Sequence, residues 1–139
     1  MFILDTNVIS ELMRAEPEAA VMDWIASMPL ASMYTTSISK GEILYGIMLL
    51  PLGKRRKSFE KAANEMFDED FAGRVLAFDN NAAASYAQIA SLRSRAGRPI
   101  SQSDAQIAAI ACSVGGTVVT RNVRDFDSCG AKLLNPWRA

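Results

Sequence analysis

The chain of 139 residues contains no histidine. That absence excludes Ser-His-Asp and Cys-His catalysis, histidine general bases and imidazole metal ligands together. Any enzymatic chemistry therefore falls to carboxylates. Cysteine is scarce too. Cys112 lies in an apolar helical stretch and Cys129 in a Ser-Cys-Gly turn, with no metal-like spacing, which excludes a zinc cluster and makes a reduced, cytoplasmic protein the expectation. No apolar run approaches the ~20 residues of a membrane-spanning helix, and the opening residues lack the basic and then apolar pattern of a secretory leader. An excess of charge of either sign is missing as well: 15 basic residues balance 15 acidic ones. Without a global field, any contact with nucleic acid must be local. There is no internal repeat, low-complexity tract or long linker.

What is present is ordinary globular material. Half the residues are apolar and 22% are charged, and the length suffices to bury a core without disulfides or a structural metal. One domain spanning residues 1–139 is the expectation.

Met1-Phe2-Ile3-Leu4 is a continuous apolar run, as in a central strand covered on both faces, and it ends abruptly in Asp5-Thr6-Asn7. Val8, Ile9, Leu12 and Met13 then keep helical spacing, so one of those three polar residues is expected to cap a helix. Glu16-Pro17-Glu18 predicts a second helix with proline in first position, an apolar face of Val21, Trp24, Ile25 and Met28, and a stop at Pro29. Met33-Tyr34-Thr35-Thr36 reads as a second strand, and Ser37 to Glu42 opens a third helix continued by Ile43, Leu44, Ile47 and Leu50. Within it, Tyr45-Gly46 either lets another element pack close or merely fills space.

Gly53-Lys54-Arg55-Arg56-Lys57 is the one dense basic run, either a solvated helix end or a patch that contacts phosphates. It leads into a helical segment with Phe59, Ala62, Ala63, Met66 and Phe67 on one side. Arg74 to Phe78 predicts a third strand. Asp79-Asn80-Asn81 caps a helix that stops at Gly97, and a further helix runs from Asp104 to Gly115-Gly116. Thr117 to Thr120 is a fourth strand, and Leu133-Leu134 a short edge strand. Strands alternating with helices imply right-handed crossovers, an α/β class and a mostly parallel sheet of four to five strands with helices on both faces.

Acidic residues recur at the same place in this pattern. Each has a modest explanation: Asp5 can cap a helix, and Ser39 with Glu42, like Ser101 with Asp104, has capping-box spacing. The architecture supplies a second one. It gathers the carboxyl ends of Leu4, Thr36 and Thr120 on one sheet edge, where open α/β sheets bind ligands. Asp5, Glu42 and Asn122 or Asp125 approach one another there, with the start of the Asp104 helix nearby. Carboxylates sharing a pocket repel, and protonation or a hard divalent cation relieves the repulsion. A magnesium or manganese site is the economical expectation.

Asp5-Thr6-Asn7-Val8-Ile9-Ser10-Glu11-Leu12, the Glu42 segment Gly-Glu-Ile-Leu-Tyr-Gly-Ile, Ser103-Asp104-Ala105-Gln106-Ile107-Ala108 and Thr120-Arg121-Asn122-Val123-Arg124-Asp125-Phe126 resemble, in order, the four motif regions of PIN-domain proteins of the VapC toxin type. The resemblance spans nearly the whole chain and implies a PIN-like fold. It implies the toxin component of a type II toxin-antitoxin pair that hydrolyses RNA phosphodiester bonds with Mg²⁺ or Mn²⁺. Carried over by motif, Asp5 and Asp104 are the principal metal ligands, Glu42 completes or supports the pocket, and Asn122 or Asp125 supplies a fourth group. The resemblance also implies a homodimer held inactive by a small DNA-binding antitoxin, of ribbon-helix-helix type, whose C-terminal segment crosses the acidic pocket. Toxin and antitoxin together would repress their own promoter, so this chain would meet DNA indirectly.

The chain departs from the fullest acidic form of the family at Asn122, which can coordinate but brings no charge. That departure keeps open a second reading, a catalytically weak or inactive PIN subunit serving mainly as antitoxin-binding co-repressor. A flavodoxin-like phosphoryl-accepting receiver also uses acidic strand ends. It ranks last, because no lysine follows the fourth strand.

Overall fold

In the computed structural model, which describes all 139 residues, the N-terminal apolar run forms β1 (Phe2–Leu4). Ile3 and Leu4 are wholly buried on opposite faces, as a central strand requires. β2 (Met33–Thr36), β3 (Val75–Leu76), β4 (Thr117–Val119) and β5 (Lys132–Leu134) complete a five-stranded sheet in the order β3-β2-β1-β4-β5. Every pairing is parallel, with Ile3 opposite both Tyr34 and Val118, and Val119 opposite Leu134. The order turns back at β1, so β1 has β2 and β4 as its neighbours.

Six helices cover the two faces. α1 (Thr6–Leu12), α2 (Ala19–Ser27), α3 (Ser37–Met48) and α4 (Lys54–Glu65) pack Val8, Ile9, Val21, Trp24, Ile43 and Ala63 against Leu4 and Val119. α5 (Asn80–Arg95) and α6 (Gln102–Ser113) bring Ala82, Ile89 and Ile107 to Ile3 and Val118. Trp24 belongs to the core, edge-on to Phe2 with ring centres 5.2 Å apart. No helix is long and apolar enough to cross a membrane.

Four local expectations change. Pro17 precedes α2, whose N-cap position is Glu18 with no side-chain hydrogen bond, so the proline is outside the helix. The strand expected from Arg74 to Phe78 contracts to two residues, because β2 passes into α3 at Ser37 and leaves Ala77 and Phe78 no backbone to pair with. The basic run does not precede a helix; Lys54 to Lys57 form the first turn of α4. At α3 the cap is Thr36, whose hydroxyl accepts from the Ser39 amide at 3.1 Å, so Ser39 and Glu42 form no capping box. At Gly115-Gly116, by contrast, the stop is as expected. Gly115 takes the left-handed conformation (φ 67°), and a Cβ on Gly116 would meet the Ile3 side chain at 3.0 Å.

A carboxylate cluster at the carboxyl edge of the sheet

Asp5 continues β1 by one residue, its amide donating to the Val119 carbonyl at 2.9 Å. From extended backbone it caps α1, Oδ1 accepting from the Thr6 amide at 2.8 Å. Oδ2 accepts from the Thr120 hydroxyl at 2.8 Å and from Asn7 Nδ2 at 3.1 Å. The residue is 4% exposed. Burial pushes the Asp5 carboxyl up from 3.8 to about 6, against the hydrogen bonds from Thr120 and Thr6, while the charges of Asp104 and Glu42 push it up further.

Glu42 is presented by α3. Freed from capping, its Oε1 accepts from the Thr6 hydroxyl at 2.8 Å, and the buried Ser39 hydroxyl lies 3.0 Å from the same Thr6 oxygen. Thr6 thus ties the first turn of α1 to α3. Asp104 stands in the first turn of α6, where its amide donates to Ser101 Oγ at 3.2 Å. Burial raises the proton affinity of its half-buried carboxyl; the Ser101 contact lowers it, Asp125 and Glu42 raise it, and Arg93 lowers it.

The two candidates beyond β4 go to different places. Asp125 lines a cavity of about 200 Å³ with Asp104, Arg93 and Ser101. Asn122 is exposed, its amide donating to the Thr120 hydroxyl at 3.0 Å, and it lines a neighbouring groove that Asp125 also reaches. The structure therefore sets Asp5, Glu42 and Asp104 within reach of one another's charge, and Asp125 within reach of Asp104 alone, while Asn122 lines the groove beyond Asp125.

Three residues with no site role in the linear pattern hold this arrangement. Thr120 is fully buried and joins Asp5, Asn7 and Asn122 through one hydroxyl. Ser39 supports Thr6. Arg93, buried in α5, donates through Nη1 to the carbonyls of Asp125 and Asp127, both at 2.9 Å, and through Nε to that of Arg98 at 2.7 Å. Threonine at the ends of the two strands that flank β1 was a visible signal for the first. Nothing in the sequence distinguishes Arg93 from Arg95 or Arg98.

None of the four carboxylates is ion-paired; the chain's ion pairs are Arg14–Glu11, Arg56–Glu60 and Arg98–Asp127. No three acidic side chains are drawn together tightly enough to form a ready-made metal cage. The donor set still suits a hard divalent cation. It is all oxygen, and magnesium commonly binds through one or two carboxylates while keeping several waters. A cation would also offset the burial and the lesser charge repulsion that together raise Asp5 and Asp104. On the α3 side, Thr6 and Glu42 border an apolar groove of about 280 Å³ walled by Met13, Ile43, Ile47 and Phe59.

A PIN-domain family model matches residues 2–131. The chain is 42% identical over 139 residues to the plasmid stability protein StbB of Pseudomonas syringae pv. tomato, covering all of both chains. It is 39% identical over 137 residues to the VapC ribonuclease Y4jK of Sinorhizobium fredii, covering 99% of this chain and 98% of that one. With toxin FitB of Neisseria gonorrhoeae the identity is 38% over 137 residues, covering 99% of each. A solved structure of FitAB bound to an IR36 DNA fragment superposes with a TM-score of 0.92 at 38% identity, over 99% of this chain and 96% of that one.

Proposed function

The chain belongs to the PIN-domain family, and from that premise we propose that it is the toxin of a type II toxin-antitoxin pair, a Mg²⁺- or Mn²⁺-dependent endoribonuclease. The observation that carries this reading is the meeting of Asp5, Glu42 and Asp104, from three distant parts of the chain, in one unpaired acidic neighbourhood at the sheet's carboxyl edge. Relatives spanning the whole chain are named ribonuclease and toxin, which supports it.

Asp5 and Asp104 are assigned as the metal ligands, with Glu42 supporting the pocket and Asp125 or Asn122 as the fourth group. A cation held there would supply Lewis-acid activation of the phosphate and of the attacking water. The chain's own residues do the rest. Thr120 and Asn7 fix the orientation of the Asp5 carboxylate, and Thr6 fixes that of Glu42. One of the carboxylates would also take the proton of the attacking water.

The partner in this reading is a small DNA-binding antitoxin of ribbon-helix-helix type. The apolar groove beside Glu42 suits its C-terminal segment, and a basic side chain on that segment would neutralise the carboxylates as a metal does. The toxin is a homodimer that meets promoter DNA through the antitoxin, as the FitAB complex with a DNA fragment suggests by analogy.

The test is calorimetric titration of Mn²⁺ into the antitoxin-free chain and its Asp5→Asn and Asp104→Asn variants, with RNA cleavage assayed on the same samples. Loss of saturable binding and a fall in cleavage of about 100-fold or more in both variants is the expected result. That no three of these carboxylates close into a metal cage, and that Asn122 is uncharged, favour a second reading, a catalytically weak subunit that serves as antitoxin-binding co-repressor. Metal binding without cleavage by the parent chain would support that one. Cleavage retained in both variants would sink the site assignment.

A further inference from the structure

Resting on that ribonuclease reading, we propose that the groove walled by Arg121, Arg124, Arg138 and Trp137 is the track on which this chain holds the RNA backbone beside its acidic cluster.

The groove has a volume of about 700 Å³ and opens between the loop after β4 and the C-terminal residues. Its three arginines are exposed, and none belongs to an ion pair. In a chain of zero net charge, three unpaired guanidinium groups around one opening are a local concentration of positive charge. Arginine suits this task, since its planar donors match phosphate oxygens in pairs. Glu18 and Asp125 line the groove too. Asp125 is the carboxylate shared with Asp104, so the positive groove runs directly into the negative cluster. A polyanion held by the arginines would place one of its phosphates at the carboxylates, where a cation can bridge the two.

The groove is also mechanically joined to the site. The Arg121 amide donates to Asn7 Oδ1 at 3.2 Å, and Asn7 in turn donates to Asp5. The Arg121 guanidinium lies over the Trp137 ring, 5.1 Å from its centre, and such stacking holds a cation while leaving its edge donors for a ligand. The uncharged Asn122 lies between Arg121 and Arg124 in the sequence and lines the same groove, where a carboxylate would repel the incoming strand.

The other basic patch is less suited. Arg56 is paired with Glu60 at 2.9 Å, and the groove that Arg55 borders is apolar, which suits a peptide better than a phosphate chain.

The experiment measures binding of a labelled 12-nucleotide single-stranded RNA to the antitoxin-free full chain, in EDTA, as a function of salt. Cleavage of the same RNA is measured in Mn²⁺. Each single-strand phosphate contact contributes about 0.7 to the salt slope. Replacing Arg121, Arg124 and Arg138 together with Gln should therefore flatten the slope by about 2 and weaken binding at 0.1 M salt by roughly tenfold or more. The triple Lys variant should keep most of the slope, which separates lost charge from lost structure. The variant Lys54→Gln, Arg55→Gln, Lys57→Gln should keep it as well.

An unchanged slope in the Gln variant overturns the proposal, and if the parent chain still cleaves, the ribonuclease reading survives. An arginine-dependent slope without cleavage supports the track and overturns the nuclease reading. RNA binding left intact while antitoxin binding is lost would make the groove a protein-docking surface instead. A parent chain that binds no RNA overturns the proposal outright.

Discussion

Asp5 is a buried carboxyl whose proton affinity burial raises into an accessible range. Its folded carboxyl is raised from 3.8 to about 6, so between these values the native state holds a proton that the unfolded chain releases. Stability is then fully present below pH 4, falls as the pH rises to about 6, and levels off above it. A shift of that size, from 3.8 to about 6, corresponds to about 3 kcal/mol. Asp104 is raised as well and adds to the same trend. Urea unfolding in EDTA across pH 4 to 7.5 should show the parent chain losing stability while Asp5→Asn loses much less. Parallel profiles would mean that Asp5 is already ionised at the lower pH. Thr120 works against the shift, because its hydroxyl bonds the ionised carboxylate. Thr120→Val should raise the Asp5 pKa further and cost about 1 to 2 kcal/mol at pH 7.5, read by the same titration.

Among the elements, α4 is the one whose sequence opposes its own helix. Lys54 to Lys57 fill its first turn, where the macrodipole is already positive, and the cap position is Gly53, with no side-chain hydrogen bond. The helix is held instead by Ala63 in the core, by Phe59 and Met66 packed against it, and by the Arg56–Glu60 pair. Lys54→Glu with Lys57→Glu should therefore stabilise the chain by roughly 0.6 to 2 kcal/mol at low ionic strength. The gain should shrink in 1 M salt. Thermal unfolding at the two salt concentrations checks both statements, and destabilisation would mean that these lysines have partners in an assembly. The helix starts of α1, α3 and α6 follow the opposite design, each capped by a hydroxyl or carboxyl side chain. In α1 the capping residue is Asp5 itself, so structural and functional readings of that position coincide.

For the molecule as a whole, the outer face of α3 and the turn after it are the conspicuous surface. Tyr45 and Met48 on α3, and Leu49 and Leu52 in the turn after it, are 66%, 66%, 67% and 87% exposed. Nothing lies within 4 Å of a Cβ built on Gly46, so within one chain that glycine makes no close approach. Leaving four large apolar side chains this exposed within eight residues is unusual for a monomer. In the homodimer proposed above they would be covered. Light scattering of Met48→Glu with Leu52→Glu should report a monomer, with the far-ultraviolet spectrum of the parent retained. A dimer that persists would place the subunit contact elsewhere.

The strands, most helix boundaries and the parallel sheet followed from local chemistry. A continuous apolar run must be covered on both faces, and threonine, serine and aspartate satisfy free amides at helix starts whatever lies beyond them. The missing histidines and the family motifs likewise narrowed the chemistry to carboxylates before any coordinates. Tertiary structure decided what each acidic side chain faces. Capping-box spacing at Ser39 and Glu42 was sound local reasoning, yet Thr36 took the cap because the end of β2 already placed its hydroxyl there. Glu42 was thereby released toward Thr6, 36 positions away. Arg93 could not be distinguished from its neighbours, since the carbonyls it binds, those of Asp125 and Asp127, arrive only when the loop after β4 packs against α5. Burial and field depend on groups brought together from distant parts of the chain, and linear spacing carries no record of them.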